Sequence, residues 1–268
     1  MHSVVIGVLM IFAINAATPD MSLTKEQKEY FFGKSRASAA KRAMTSYKEW
    51  LWPNGIIPWQ FDSTLDNVTV KDIITKAVEH VQSKTCVRFI KRTNEKVYVN
   101  FKYGNFCTAT LGYLPNNINN VTYSKAGLYC TNGSMVHELG HVVGLLHEHN
   151  RPDRDDYVKV NWTNIQYLKE FIISWQKWGN DTIDYRNIPY DYASIMHYSR
   201  YFMAKDPNYP TLIPTRNNSD GSLVETGYTE YLSPLDIKQI NLLYGCTCTA
   251  SGQPMDEESN SEKEPENE

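Results

Sequence analysis

The sequence predicts a mixed α/β domain, because a helical periodicity precedes a period-two one and further helical patterns occupy the second half of the chain. Val70, Ile73, Ile74, Ala77, Val78 and Val81 keep the spacing of one helix face, and Thr69 with Asp72 three residues on supplies a capping pattern in front. Val97, Val99, Phe101 and Tyr103 then recur with period two up to Gly104, as in a half-buried strand. Ile165, Leu168, Ile172 and Trp175 predict another helix. Ser233-Pro234-Leu235-Asp236 caps a last one that presents Ile237, Ile240 and Tyr244.

The ends differ from this middle. Val4 to Ala13 is apolar and is followed by Asn15-Ala16-Ala17, which reads as a signal peptide over residues 1–17. It is too short for a membrane span, which needs about 20 apolar residues, and no later segment is apolar enough to serve. Residues 18–42 are polar and charged and end in Lys41-Arg42, the pattern of a pro-segment cut by a processing protease at a dibasic pair. The folded texture begins at Trp50, within a domain assigned to residues 43–248. Residues 249–268 are acidic, lack periodicity and are expected to be a disordered tail.

A net charge of -3 without a clustered basic face argues against a nucleic-acid partner. Cys86, Cys107, Cys130, Cys246 and Cys248 suit an oxidising compartment, with one cysteine left over. Six glycosylation sequons begin at Asn67, Asn120, Asn132, Asn161, Asn180 and Asn217. Leader, cysteines and sequons together point to a secreted, extracellular protein.

The chemistry is concentrated between His137 and His147. Residues four apart share a helix face, so His137 and His141 can offer two imidazoles to one metal, with Glu138 beside them. Gly144 permits a sharp turn that brings His147 in as a third ligand. Five such positions coincide by chance in roughly one chain of this length in 10⁵. Three nitrogens and an open position describe one catalytic Zn2+, whereas a structural zinc would close with a fourth protein ligand, commonly cysteine. Such a zinc acidifies a bound water and polarises a carbonyl, and Glu138 is placed to act as general base and then general acid.

His137-Glu138-x-x-His141-x-x-Gly144-x-x-His147, followed by Ser194-Ile195-Met196-His197-Tyr198, resembles the metzincin peptidases. Glu148 directly after the third histidine, within His147-Glu148-His149-Asn150-Arg151-Pro152-Asp153-Arg154-Asp155, makes the chain similar to the astacin family in particular, over nearly all of Trp52 to Cys246. The resemblance implies a two-lobed fold, with a twisted sheet and the active-site helix above a cleft and an irregular, mostly helical lobe below. It implies a monomeric zinc metalloendopeptidase acting on protein or peptide substrates, with Met196 as a hydrophobic base under the metal. Tyr198 would be a further zinc ligand that swings away to stabilise the oxyanion. It also implies disulfides Cys107–Cys130 and Cys86 to a C-terminal cysteine, for which Cys246 is preferred over Cys248, and a mature N-terminus at Ala43 that pairs with Glu148.

One departure stands out. Where the family's pro-segment carries a zinc-binding aspartate after Phe-x-Gly, Phe31-Phe32-Gly33 is followed by Lys34, whose ammonium cannot ligate zinc. How the precursor is kept inactive is left open by the sequence. Two other readings compete: a metzincin of another branch, against which Glu148 and Tyr198 speak, and a catalytically inactive secreted binding protein or toxin component on the same fold.

Overall fold

In the computed structural model α2 (Val68–Lys84) is the helix predicted from residues 70–81, with Val70, Ile74, Ala77, Val78 and Val81 on its buried face. Its cap is Asn67 rather than Thr69: the chain is extended at Asn67, whose side chain accepts a hydrogen bond from Val70 N at 3.2 Å, so Thr69 and Asp72 already lie inside the helix. The structure describes residues 20–32, 48–116, 118–126, 130–179, 187–227 and 229–246. The signal peptide, Lys34, the Lys41-Arg42 pair, Ala43, Asn180, Cys248 and the acidic tail lie outside the described residues.

The strands are β1 (Met21–Ser22), β2 (Ile56–Phe61), β3 (Arg88–Lys91), β4 (Val99–Gly104), β5 (Thr108–Thr110) and β6 (Asn119–Ser124), followed later by β7 (Val158–Val160) and β8 (Leu212–Pro214). The first six form one sheet in the order β1-β5-β6-β4-β2-β3. Its ladders are parallel except that between β5 and β6. Ile57, Val99, Phe101 and Val121 from the sheet share one core with α2, with α3 (Asn132–Val142) and with Ile240 and Leu243 of α5 (Pro234–Tyr244). Ser233 and Asp236 form a capping box at the start of α5, where the sequence places the cap. Cys86 is bonded to Cys246 and Cys107 to Cys130, tying the end of α5 to the strand region and the start of β5 to the start of α3.

The second lobe is irregular, and its helical pieces are short. Its core is Val158, Ile165, Trp175, Tyr190, Tyr198 and Leu212, and its regular pieces among the described residues are the short α4 (Leu168–Phe171), 3-10 turns at Glu148–Asn150, Arg154–Asp156, Trp162–Asn164 and Ile172–Trp175, and the β7–β8 pair. The helix expected through Ile165 and Trp175 is broken. Tyr167 has a left-handed φ of 52°, Ile165 bridges to Ala204, and Trp175 closes a separate 3-10 turn. Tertiary burial of Ile165 and Trp175, both 0 % exposed, overrides the helical spacing.

Part of the stretch expected to be a pro-segment is built into this frame. β1 lies parallel to β5, with Met21 opposite Ala109, and α1 (Lys25–Phe32) follows it. Thr24 caps α1, its Oγ1 accepting from Gln27 N and its N–H donating to Gln27 Oε1. Gln27 Nε2 donates to Leu111 O at 3.1 Å, and Phe31 packs among Trp50, Leu111 and Trp178.

Candidate metal centre

α3 starts at Thr131, whose side chain accepts from Ser134 N while its own N–H donates to Ser134 Oγ. Its other end is fixed by donors from distant elements. Gly112 N donates to His141 O, Trp52 Nε1 to Val142 O at 2.9 Å and Tyr244 Oη to Val143 O at 3.1 Å. These bonds satisfy carbonyls that a helix terminus leaves unpaired. The chain then leaves the helix at Gly144, whose φ of 100° favours glycine, and returns as His147.

His137 Nδ1 donates to Ile195 O at 2.6 Å and His141 Nδ1 to Leu145 O at 2.9 Å, which leaves their Nε2 lone pairs free. The Nε2 atoms of His137, His141 and His147 are buried and none makes a hydrogen bond. They and a carboxylate oxygen of Asp20 lie within 4.8 Å of one another. Asp20 oxygens stand 3.3 Å from His137 Nε2 and 3.1 Å from His147 Nε2, without hydrogen-bond geometry. Donors that share a tetrahedral ion at about 2 Å stand a little over about 3 Å apart. Three histidines and one carboxylate thus fit a zinc ion, with the carboxylate in the position a catalytic site keeps open.

Asp20 offers what Lys34 cannot: an aspartate does stand at the histidines, and it comes from upstream of Phe31-Phe32-Gly33. Burial opposes its ionisation, but His147 and His137 outweigh it and hold its carboxyl well below the usual range. Its main chain is tied down as well, since Asp20 O accepts from Ala109 N at 2.8 Å.

Glu138 is 2 % exposed and its Oε2 has no hydrogen-bond partner. Burial, and then the Asp20 carboxylate, push its pKa well above the ordinary value. Met196 packs directly on α3, where a Cβ on Gly140 would meet its Sδ at 2.5 Å. The Met196 turn is held by Asp236, which accepts from Ser194 Oγ at 2.6 Å and from Ile195 N at 2.9 Å. Ile195 O in turn orients His137, so the cap of α5 reaches the histidine cluster through two steps. Tyr198 Oη lies 3.4 Å from Asp20 Oδ1, and the ring rests beside His147.

Glu148 is buried and already engaged. Its Oε1 accepts from Arg151 Nη1 and from Asp191 N, both at 2.9 Å. Burial nevertheless pushes its pKa up to about 7, against the opposing pull of Arg151 and the Asp191 N–H. Among the sequons, Asn67 and Asn217 are exposed and Asn120, Asn132 and Asn161 half-buried. A cavity of about 560 Å³ opens beside β1, walled by Met21, Phe106, His147, Phe171, Ile173 and Trp178.

Sequence reasoning missed Asp20, the structural part of Gln27, and the second duty of Asp236. Only Asp236 carried a local clue, the capping box that places its carboxylate beside Ser233 N.

The family model Astacin, which describes the astacin family of peptidases, matches residues 44–245. Nematocyst expressed protein 6 of Nematostella vectensis is 36% identical over 241 residues, covering 89% of this chain and 80% of that protein. Zinc metalloproteinase nas-39 of Caenorhabditis elegans is 35% identical over 238 residues, covering 87% of this chain but 24% of that protein. The chain thus spans most of the first relative and about a quarter of the second. High choriolytic enzyme 1, a hatching-enzyme zinc protease of the medaka fish Oryzias latipes, is 31% identical and superposes with a TM-score of 0.66 over 74% of this chain and 96% of its own.

Proposed function

Because this chain belongs to the astacin family of zinc metalloendopeptidases, we propose that it is a secreted endopeptidase, made as a precursor, in which Glu138 is the general base for hydrolysis of peptide bonds in proteins or peptides. The observation that carries this reading is the cluster of three buried imidazole nitrogens that make no hydrogen bond, together with a buried Glu138 oxygen that has no partner of its own.

When held by His137, His141 and His147, zinc supplies Lewis acidity, making the attacking water more acid and polarising the scissile carbonyl. Glu138 takes the proton from that water at its unpartnered oxygen and then delivers it to the departing amine. Tyr198, whose hydroxyl sits at the edge of the ligand cluster, donates to the oxygen on which charge develops, a contribution typically worth about 10²–10³ in rate. Met196 and Asp236 hold His137 and the turn under it in register. In the precursor Asp20 fills the substrate's place. The leader, the sequons and the two disulfides support secretion, and among the described residues no helix is long and apolar enough to cross a membrane.

Casein incubated with the processed protein is expected to be hydrolysed, to survive intact after a chelator has stripped the zinc, and to be cut again when zinc is restored. Activity that persists after complete zinc removal would overturn the proposal.

Cleavage after Lys41-Arg42 would create an α-amino group at Ala43, for which Glu148 is the partner. A carboxylate whose pKa stays near 7 beside Arg151 has capacity for a second cation, because burial still outweighs the pairing it has. Terminal sequencing of the secreted, active protein is expected to begin at Ala43, and a start more than two or three residues away would exclude the pairing. Glu148→Ala is expected to destabilise the uncleaved precursor too, by about 2 kcal/mol, since Arg151 loses one of the two carboxylate partners it has among the described residues. The loss in the cleaved form should be larger. Equal shifts in the thermal midpoints of both forms would leave Glu148 as a partner of Arg151 alone.

A further inference from the structure

The ring of Tyr198 is held between two others. His149 stacks on it with centroids 3.8 Å apart and planes 26° apart, and Phe202 lies 4.0 Å away at 34°. Both centroids lie too close to that of the phenol for the two rings to share one face, so His149 and the tilted Phe202 occupy opposite faces. Trp175 stands edge-on at 5.7 Å.

Both walls are anchored. The His149 ring is 0 % exposed; its Nε2 donates to Ser174 O at 3.1 Å and its Nδ1 accepts from Tyr198 N at 3.3 Å. His149 thereby fixes the main chain of Tyr198 as well as one face of its ring. Tyr198 O accepts from Thr226 Oγ1 at 2.8 Å. Phe202 is turned back by a bond from its N–H to Ser199 O, and its carbonyl accepts from Thr211 Oγ1 at 2.9 Å. A side chain with its backbone clamped and both ring faces covered keeps freedom mainly within the plane of the ring.

We propose that His149 and Phe202 are positioning residues that form a flat slot for Tyr198, confining its phenol to one plane so that the hydroxyl is aimed at the reacting oxygen. This rests on the reading of Tyr198 as an oxyanion donor. A donor displaced by a fraction of an ångström loses much of its value, because stabilisation of developing charge depends on preorganised geometry. The slot is asymmetric: His149 is internal, whereas Phe202 is 36 % exposed at the rim, which makes Phe202 the wall that can be altered without opening the core.

The test is a double-mutant cycle on the processed, zinc-loaded enzyme. Phe202→Leu removes the flat wall and is expected to lower kcat about tenfold with little change in KM. Phe202→Tyr keeps a ring there and should restore most of the rate. In a Tyr198→Phe background, where the aimed hydroxyl is absent, Phe202→Leu should change kcat hardly at all. An equal loss in both backgrounds, or a loss confined to KM, would overturn the slot and make Phe202 a general structural or substrate contact. Tyr198→Phe alone tests the underlying reading: undiminished kcat in that single variant would sink the donor role, and the slot with it, whereas a large loss followed by an additive cycle would sink only the slot. A second readout needs no turnover. In ring-labelled precursor the Tyr198 ring protons should resonate upfield, shielded from both faces, and move towards ordinary tyrosine positions in Phe202→Leu. Unshielded protons in the unsubstituted precursor would also overturn it.

Discussion

Glu138→Gln is expected to leave the protein folded and zinc-loaded while lowering kcat by about 10²–10⁴, the range that general-base catalysis contributes. Glutamine matches the shape of glutamate, and the three imidazole ligands do not depend on Glu138, since two of them are oriented by the Ile195 and Leu145 carbonyls. What is lost is proton affinity. Glu138 is deeply buried and one of its oxygens has no partner, and burial, with the Asp20 carboxylate, raises its pKa above that of an ordinary carboxylate. Metal analysis and a peptide assay on one sample decide the matter. If more than about a tenth of the rate remained with zinc at full occupancy, Glu138 would not be the base.

How far such a site can be read from the chain depends on how local its geometry is. The cluster of His137, His141 and His147 was legible because two of these histidines are one helical turn apart and the third follows a single glycine turn, so eleven consecutive residues hold the geometry. α2, β4 and α5 were legible for the same reason, each displaying its own period along its own length. The helix expected at Ile165 to Trp175 failed because those apolar residues answer to the second core, where Tyr167 turns left-handed and Ile165 pairs with Ala204. Asn67 was overlooked as a cap because the Thr69 pattern lies two residues further on and looks equally good without coordinates. The role of Asp20 had no local signature. It is one of 30 acidic residues, it sits near the start of the expected pro-segment, and its partners are brought to it by the pairing of β1 with β5.

In a precursor whose Lys41-Arg42 pair has been blocked by substitution, Asp20→Ala is expected to raise peptidase turnover by about tenfold or more. A hydrogen-bonded or ligating charge typically contributes about 1.5–3 kcal/mol, and weakening the closed state by that amount enlarges the open, competent fraction in proportion. The rise should stop short of the processed enzyme's rate, because the substitution leaves the rest of the cover in place. Met21 and Ser22 still pair with Ala109 and Thr110, Gln27 still donates to Leu111 O, and Phe31 still packs on Trp50 and Trp178. Lys34→Asp in the same blocked precursor is expected to change nothing, since the ligand position beside His137 and His147 is already taken by Asp20. The two substitutions therefore make opposite claims about which residue silences the cleft. If the blocked Asp20→Ala precursor stayed as silent as its parent, steric cover by β1 and α1 would be sufficient for latency, and the carboxylate at the histidines would be dispensable. If Lys34→Asp alone lowered residual turnover, the position after Phe31-Phe32-Gly33 would have access to the metal and Asp20 would occupy it only part of the time.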